Sequence, residues 1–301
     1  MKALANLASH GDPLVRKRVA YAYGAATILE EEDLRALILL AGDGDLTTHA
    51  HVMTPLASAN GLAPHILSAL SDASPQRRQS AAQLIGLQLS HEKPGYDTTE
   101  MNDAIRVALS DSAPDVRKVL IGSLLQKNDK IDFIPDFIRL LGDPEEDVRD
   151  MASRFLGELG SAAVPAVVEA TKTDSNIARL SATKTLAALK DLEYRAGKSF
   201  LNQAAHHRML ELTDDSDANV RIAAIGSYFG TNHLHPLPVE NLIRGLQSTH
   251  PGMQMTSLHL LSQHDNAAQA IPQIKRLTSS KILAIRNTAE DLLKVLRTKL
   301  E

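Results

Sequence analysis

Two stretches decide the fold: Leu109-Ser-Asp111-Ser-Ala-Pro-Asp-Val116-Arg117 and Leu141-Gly-Asp143-Pro-Glu-Glu-Asp-Val148-Arg149. In both, an Asp precedes an Arg by six residues across a Pro-containing turn. The frame recurs at Asp72 with Arg78 and at Asp215 with Arg221. An Asp near a helix start accepts hydrogen bonds from free backbone amides. The Arg that follows can bridge to the Asp of the next copy through its planar fork. With the Arg as anchor, nine copies fall at Arg16, His49, Arg78, Arg117, Arg149, Arg179, Arg221, Gln254 and Arg286. Their intervals are 33, 29, 39, 32, 30, 42, 33 and 32 residues. A period of this size marks an array of two-helix units, each burying its apolar face only against its neighbours. His49 and Gln254 stand where Arg is expected, so the rungs of copies two and eight are weaker.

Working outward from the anchors, a small residue recurs three positions on, as at Ala81, Ala152, Ala182, Ala224, Ser257 and Ala289. The frame predicts first helices at 32–41, 61–70, 99–110, 132–142, 162–172, 195–213, 239–247 and 268–279. Second helices are predicted at 13–28, 46–58, 75–89, 114–127, 145–159, 175–190, 217–229, 252–263 and 282–299. Pro64, Pro135, Pro165, Pro238 and Pro272 fall near first-helix starts, where Pro is tolerated. The domain expectation is one repeat array over 1–301, with N-terminal (1–90), middle (91–190) and C-terminal (191–301) copies.

Composition agrees. Hydrophobic residues make up 44% of the 301, aromatics only 3%, and Trp is absent. Ala and Leu dominate and favour close helix packing. The absence of Cys excludes disulfides, thiolate zinc, iron–sulfur clusters and a Cys nucleophile. A net charge of −4 gives no global field for nucleic acid or anionic membrane. The longest apolar run, Ala36 to Ala41, is far too short to span a bilayer. The N-terminus enters a helical pattern directly, so a cytoplasmic protein is expected.

The Asp-x5-Arg frame with its small residue and first-helix Pro resembles the short bacterial variety of the HEAT-repeat family, and the resemblance covers nearly the whole chain. It implies an all-α, right-handed α-solenoid of about nine two-helix repeats. It also implies an Asp–Arg ladder at the turns, formed by Asp72, Arg78, Asp111, Arg117, Asp143, Arg149, Asp215 and Arg221. The family's second helices line a concave groove, which makes a protein-binding scaffold the expected function. Bilin lyases share this short repeat type. An accessory lyase or chaperone-like factor for a chromophore-bearing protein is therefore the alternative, carried by the repeat alone.

If positions +3 and +7 from each anchor face the core, +1 and +5 face the groove. At +1, copies six to eight read Leu180, Ile222 and Met255 in a row, an apolar stripe of the kind that marks binding surfaces. Lys184 and His259 occupy +5 beside it, with Phe229 one turn beyond. Two long connections, 90–98 with Tyr96 and 191–198 with Tyr194, are read as loops that could grip the same partner. The histidine pairs His49/His51, His206/His207 and His233/His235 lack the i,i+4 spacing that converges on one ion. No metal, cofactor or catalytic residue is expected. The partner is expected to be a protein segment.

Overall fold

The computed structural model describes residues 2–26, 29–59, 61–90, 99–125, 131–197, 201–229 and 237–300. Among these there are eighteen α-helices and no strand. The chain divides into two compact units, residues 1–136 with 145–151 and residues 137–144 with 152–301.

In the first unit, α1 (Lys2–Ala5) precedes three helix pairs: α3 (Glu31–Ala41) with α4 (Leu46–Ser58), α5 (Ala63–Leu70) with α6 (Pro75–Ser90), and α7 (Thr99–Ala108) with α8 (Pro114–Leu124). The second helices stack in order from α2 (Pro13–Gly24) through α4 and α6 to α8, and the first helices run α3, α5, α7. Two helices cross the division, α9 (Ile134–Leu140) and α10 (Glu146–Glu158). The second unit continues with α11 (Val164–Ala170) on α12 (Asn176–Ala196) and α13 (Gln203–Leu212) on α14 (Ala218–Gly226). Then come α15 (Val239–Gln247) on α16 (Pro251–Ser262) and α17 (Ile271–Leu277) on α18 (Leu283–Leu300). Here too each second helix packs on the next: α12, α14, α16, α18. Each unit is a stack of helix pairs, the architecture of an α-solenoid.

The anchor frame explains the packing. At +3 stand Val19, Val52, Ala81, Leu120, Ala152, Ala182, Ala224, Ser257 and Ala289, all buried. At +7 stand Tyr23, Leu56, Ile85, Leu124, Leu156, Leu186, Tyr228, Leu261 and Leu293, also all buried. Positions four apart lie on one helix face, so this stripe forms the core. Small residues elsewhere on these helices, Gly86 and Ser123, let neighbouring backbones approach. A Cβ built on Gly86 of α6 would stand 2.5 Å from Ser123 Oγ and 2.9 Å from Ser123 Cβ on α8.

The turns are held by one recurrent contact: the anchor donates to the backbone carbonyl six residues earlier. Arg78 Nη1 donates to Asp72 O at 2.8 Å, Arg117 to Asp111 O at 2.6 Å, Arg179 to Thr173 O at 2.8 Å and Arg221 to Asp215 O at 2.6 Å. Gln254 makes the same contact through Nε2 to Ser248 O at 2.7 Å. The carboxylates of Asp72, Asp111 and Asp215 instead accept an amide two residues on, at 2.7–2.8 Å. Within a copy, therefore, Arg meets the backbone of its Asp, and the carboxylate is left for the preceding copy. Arg78 binds Asp111 bidentately through Nε at 2.6 Å and Nη2 at 2.8 Å. Arg179 holds Asp215 the same way at 2.9 and 3.2 Å, and Arg16 Nε reaches Asp43 at 2.5 Å. His49 breaks the series. Its Nδ1 lies 2.9 Å from Ala41 O, and Asp72 of the next copy is met by Arg77 at 3.1 Å. Asp143 is buried and Arg149 half-buried at the corresponding positions.

Two boundaries differ from the sequence expectation. The stretch 191–198 is not a loop from its start: α12 continues to Ala196 and closes on Gly197 in the left-handed region, φ 60°. Nor does 195–213 form one helix. Asn202 caps α13 by accepting Ala205 N at 2.9 Å, and Glu193 accepts Leu201 N at 3.2 Å. Glycine without a Cβ stops the first helix and an Asn side chain starts the second.

Candidate partner-binding groove

The second unit carries a groove of about 570 Å³ between α12 and α14. Leu180, Lys184, Ala187 and Asp191 line it from α12, and Asn219, Ile222, Ala223 and Gly226 from α14. Leu180 and Ile222 stand at +1 in successive copies, Lys184 and Gly226 at +5. Across all nine copies neither position holds a fully buried residue. Both point away from the +3/+7 core because they lie on the opposite arc of the helix.

Leu180 and Ile222 are half-buried rather than exposed. Both line the groove, one from each helix. Met255 does not join them. It is half-buried, lies outside the groove lining, and its Sδ takes the Thr288 hydroxyl at 3.8 Å from the next copy. The groove lining therefore holds two of the three expected stripe residues, and Met255 contacts Thr288 of α18. Phe229 supplies the third apolar wall, 42% exposed. Its ring meets His259 of α16 edge-on, with centroids 6.4 Å apart and planes at 62°. His259 is exposed and braces Phe229 rather than lining the floor.

Charge sits at the rim. Lys184 is exposed and forms no ion pair among the described residues, whereas Asp191 and Arg195 pair with each other at 2.9 Å. Tyr194, on the last turn of α12, is 42% exposed and is not part of the lining. Tyr96 lies outside the described residues. Of the two tyrosine connections, the one carrying Tyr194 is helix as far as Ala196.

Directly behind the groove is a feature the sequence reading passed over. Lys190 of α12 is buried and its Nζ makes no hydrogen bond; it sits 3.2 Å from the centroid of the Tyr228 ring. Burial pushes the Lys190 amine down to about 7, against the opposing charge of Glu193. Burial likewise pushes the Tyr228 hydroxyl up to about 12. Tyr228 turns into the core at +7 while its neighbour Phe229 turns out to the groove. A Lys at +11, one turn beyond the +7 core position, was the available signal.

A larger cavity lies elsewhere. Between α3 and α5 of the first unit, about 900 Å³ is lined by Leu34, Ile38, His65, Arg35 and Arg77 among others. Its charges are paired within the protein, Arg35 with Glu31 at 2.6 Å and Arg77 with Asp72 at 3.1 Å. Burial, followed by the charge of Arg35, holds the His65 imidazole below its usual value, with Glu31 opposing. The arginines of this cavity are thus matched by carboxylates, whereas Lys184 of the α12–α14 groove has no ion pair among the described residues. Among the described residues no three His, Asp or Glu gather as metal ligands, and no helix is long and apolar enough to cross a membrane.

Comparison with known proteins follows this geometry. The sequence pattern that defines HEAT repeats matches residues 102–187 and 134–225. A chain in the structure of Kap95p binding RanGDP, reported for nuclear import complex assembly, is similar over 97% of this chain at 12% identity, with a TM-score of 0.63. Importin beta, crystallised from ammonium sulfate and from polyethylene glycol, is similar over 98% and 97% at 15% identity, with TM-scores of 0.59 and 0.60. This chain spans 45–47% of those chains, a little under half their length. At such identity the likeness establishes the fold. No curated protein matches the sequence.

Proposed function

Starting from a chain whose residues 102–225 are HEAT repeats, we propose that it is a non-enzymatic interaction scaffold whose α12–α14 groove holds a segment of a protein partner. One observation carries the reading: Leu180, Ile222 and Phe229 line a single cleft beside the cation Lys184, which has no ion pair among the described residues. Apolar surface left at a repeat-array cleft marks a site of association, because its burial by a partner is favourable and its exposure has no folding benefit. A rim cation steers and orients a partner more than it adds affinity.

The test is capture from native lysate by the wild-type chain and by a variant carrying Leu180→Ser, Ile222→Ser and Phe229→Ser. The proteins retained by the wild type should be absent from the variant, while circular dichroism and melting stay close to wild type. Retention of the same proteins by a folded variant removes the groove from consideration.

A further inference from the structure

The first unit presents a surface of different chemistry. On α2, Leu14, Lys17, Arg18 and Tyr21 follow the spacing i, i+3, i+4, i+7 and so share one face. The opposite face carries Val19, Ala20 and Tyr23 into the core. Leu14 is 69% exposed and Tyr21 68%, although both are large and apolar-bodied. Together with His51 of α4 they line a cleft of about 290 Å³. That is room for a side chain, below the roughly 300–1,000 Å³ of a small-molecule pocket. The Tyr21 and His51 rings stand nearly perpendicular, centroids 5.2 Å apart at 80°, and Tyr21 remains mostly in water.

Around this cleft the carboxylates Asp12 and Asp45 serve as helix caps, whereas the cations are loosely engaged. Arg16, on the same helix, is turned away and engaged by Asp43. Lys17 has only a long contact to Asp45, 3.9 Å between atoms, and Asp45 is already occupied as the cap of α4, accepting Thr48 N at 2.7 Å. Arg18 is exposed and has no ion pair or hydrogen bond among the described residues. Asp12 caps α2 through Leu14 N at 2.9 Å. Two cations thus flank an apolar opening in a chain whose net charge is −4.

We propose that this α2–α4 face is a second docking site, for an acidic peptide segment with an aromatic or leucine anchor. The anchor enters between Leu14, Tyr21 and His51, and flanking carboxylates pair with Lys17 and Arg18. Arg is suited to that pairing because its fork binds carboxylate bidentately. A single-stranded nucleic acid could also stack on Tyr21 and pair its phosphates. It is disfavoured because a nucleic-acid groove tracks the backbone with a run of cations, and here Asp12 and Asp45 stand beside only two.

The test uses a fluorescein-labelled peptide, Asp-Glu-Asp-Phe-Asp-Leu-Glu-Asp, titrated by anisotropy at roughly 50 mM salt, where surface charge is little screened. Its controls are the same peptide with every acidic residue changed to Lys, and an oligothymidine of about a dozen nucleotides. The acidic peptide should bind saturably and more weakly as salt rises. Arg18→Glu with Lys17→Glu, and separately Tyr21→Ser, should each weaken it by about tenfold or more. Leu180→Ser with Ile222→Ser should leave it unchanged, which separates this site from the groove of the second unit. Arg18 is exposed and unpaired among the described residues, so Arg18→Glu alone serves should Tyr21→Ser lower the melting point. Absence of saturable binding, equal binding of the Lys peptide, or tighter binding of oligothymidine overturns the proposal. Loss of binding in the second-unit variant rather than in Arg18→Glu overturns it as well.

Discussion

Replacing Arg78 with Met keeps most of the aliphatic stem and deletes the guanidinium. Four hydrogen bonds go with it: two to the Asp111 carboxylate at 2.6 and 2.8 Å, and two to Asp72 O and Ala73 O at 2.8 and 3.2 Å. The carboxylate left behind is only 6% exposed and keeps one amide partner, Ala113 N at 2.8 Å. Stranding one partner of a buried pair costs about 3–5 kcal/mol. Side-chain exposure of 12% for Arg78 leaves it slightly wet, so the lower end applies, about 3 kcal/mol. In a unit of this size that is a drop of roughly 6–12 °C in melting midpoint. Arg154→Met is the control: its contact to Glu158 is 3.4 Å with the arginine 73% exposed, a pair worth about 0–1 kcal/mol. A double-mutant cycle with Asp111→Asn, measured by urea titration, should give a coupling of about 1.5–3 kcal/mol. The same pair sets the acid limit. Burial, the largest influence on Asp111, raises its carboxyl, but the Arg78 bonds, the Ala113 amide and the charges of Arg78 and Arg117 together hold it below the usual range. A lowered folded pKa adds stability that is present above the ordinary unfolded value and disappears as pH falls through the folded one. Asp111→Asn should therefore flatten the acid limb of the stability curve. The reasoning is refuted if Arg78→Met costs no more than Arg154→Met, or if the cycle shows coupling indistinguishable from zero.

Gly86→Ala should destabilise despite the better helix propensity of Ala, because the new Cβ meets Ser123 at 2.5 and 2.9 Å. Overpacking of about 1–3 kcal/mol exceeds the gain of roughly 0.5–1 kcal/mol. Gly157→Ala on α10, with nothing within 4 Å, should instead be neutral or stabilising, and thermal melts of the two variants should move in opposite directions. Lys190→Met should raise stability at and below neutral pH. With Lys190 lowered to about 7, the unfolded chain holds a proton between there and the ordinary value of 10.5 that the folded chain does not. Wild-type stability therefore rises with pH through that window, and the advantage of the variant should shrink to nothing above it. A difference between variant and wild type that stays constant with pH from about 6 to about 11.5, roughly one unit beyond each end of that window, would remove the buried amine as its cause.

The repeat was legible in the residues themselves. Spacing along one helix is local geometry, so an Arg anchor with apolar partners at +3 and +7 states which side chains enter the core before any neighbour is known. Val19, Ala152 and Leu261 were placed correctly by counting alone, and the turn chemistry of Asp72 and Asp111 followed from their offset to Arg. Contacts between copies were not legible to the same depth, since they depend on how adjacent helices lean and which side chain reaches first. Met255 reads like Leu180 and Ile222 in sequence, yet it contacts Thr288 of α18 outside the groove lining, and Phe229 closes the cleft instead. The end of α12 depended on the left-handed Gly197, which the sequence marked only as one glycine within a charged stretch. Lys190 shows the limit most plainly. A lysine in isolation belongs to the surface because its charge is costly to desolvate. Here it is core, because the aromatic face of Tyr228, thirty-eight residues away, lies over it. Periodicity fixes the direction in which a side chain points, and only the packed neighbours decide whether it meets water or protein.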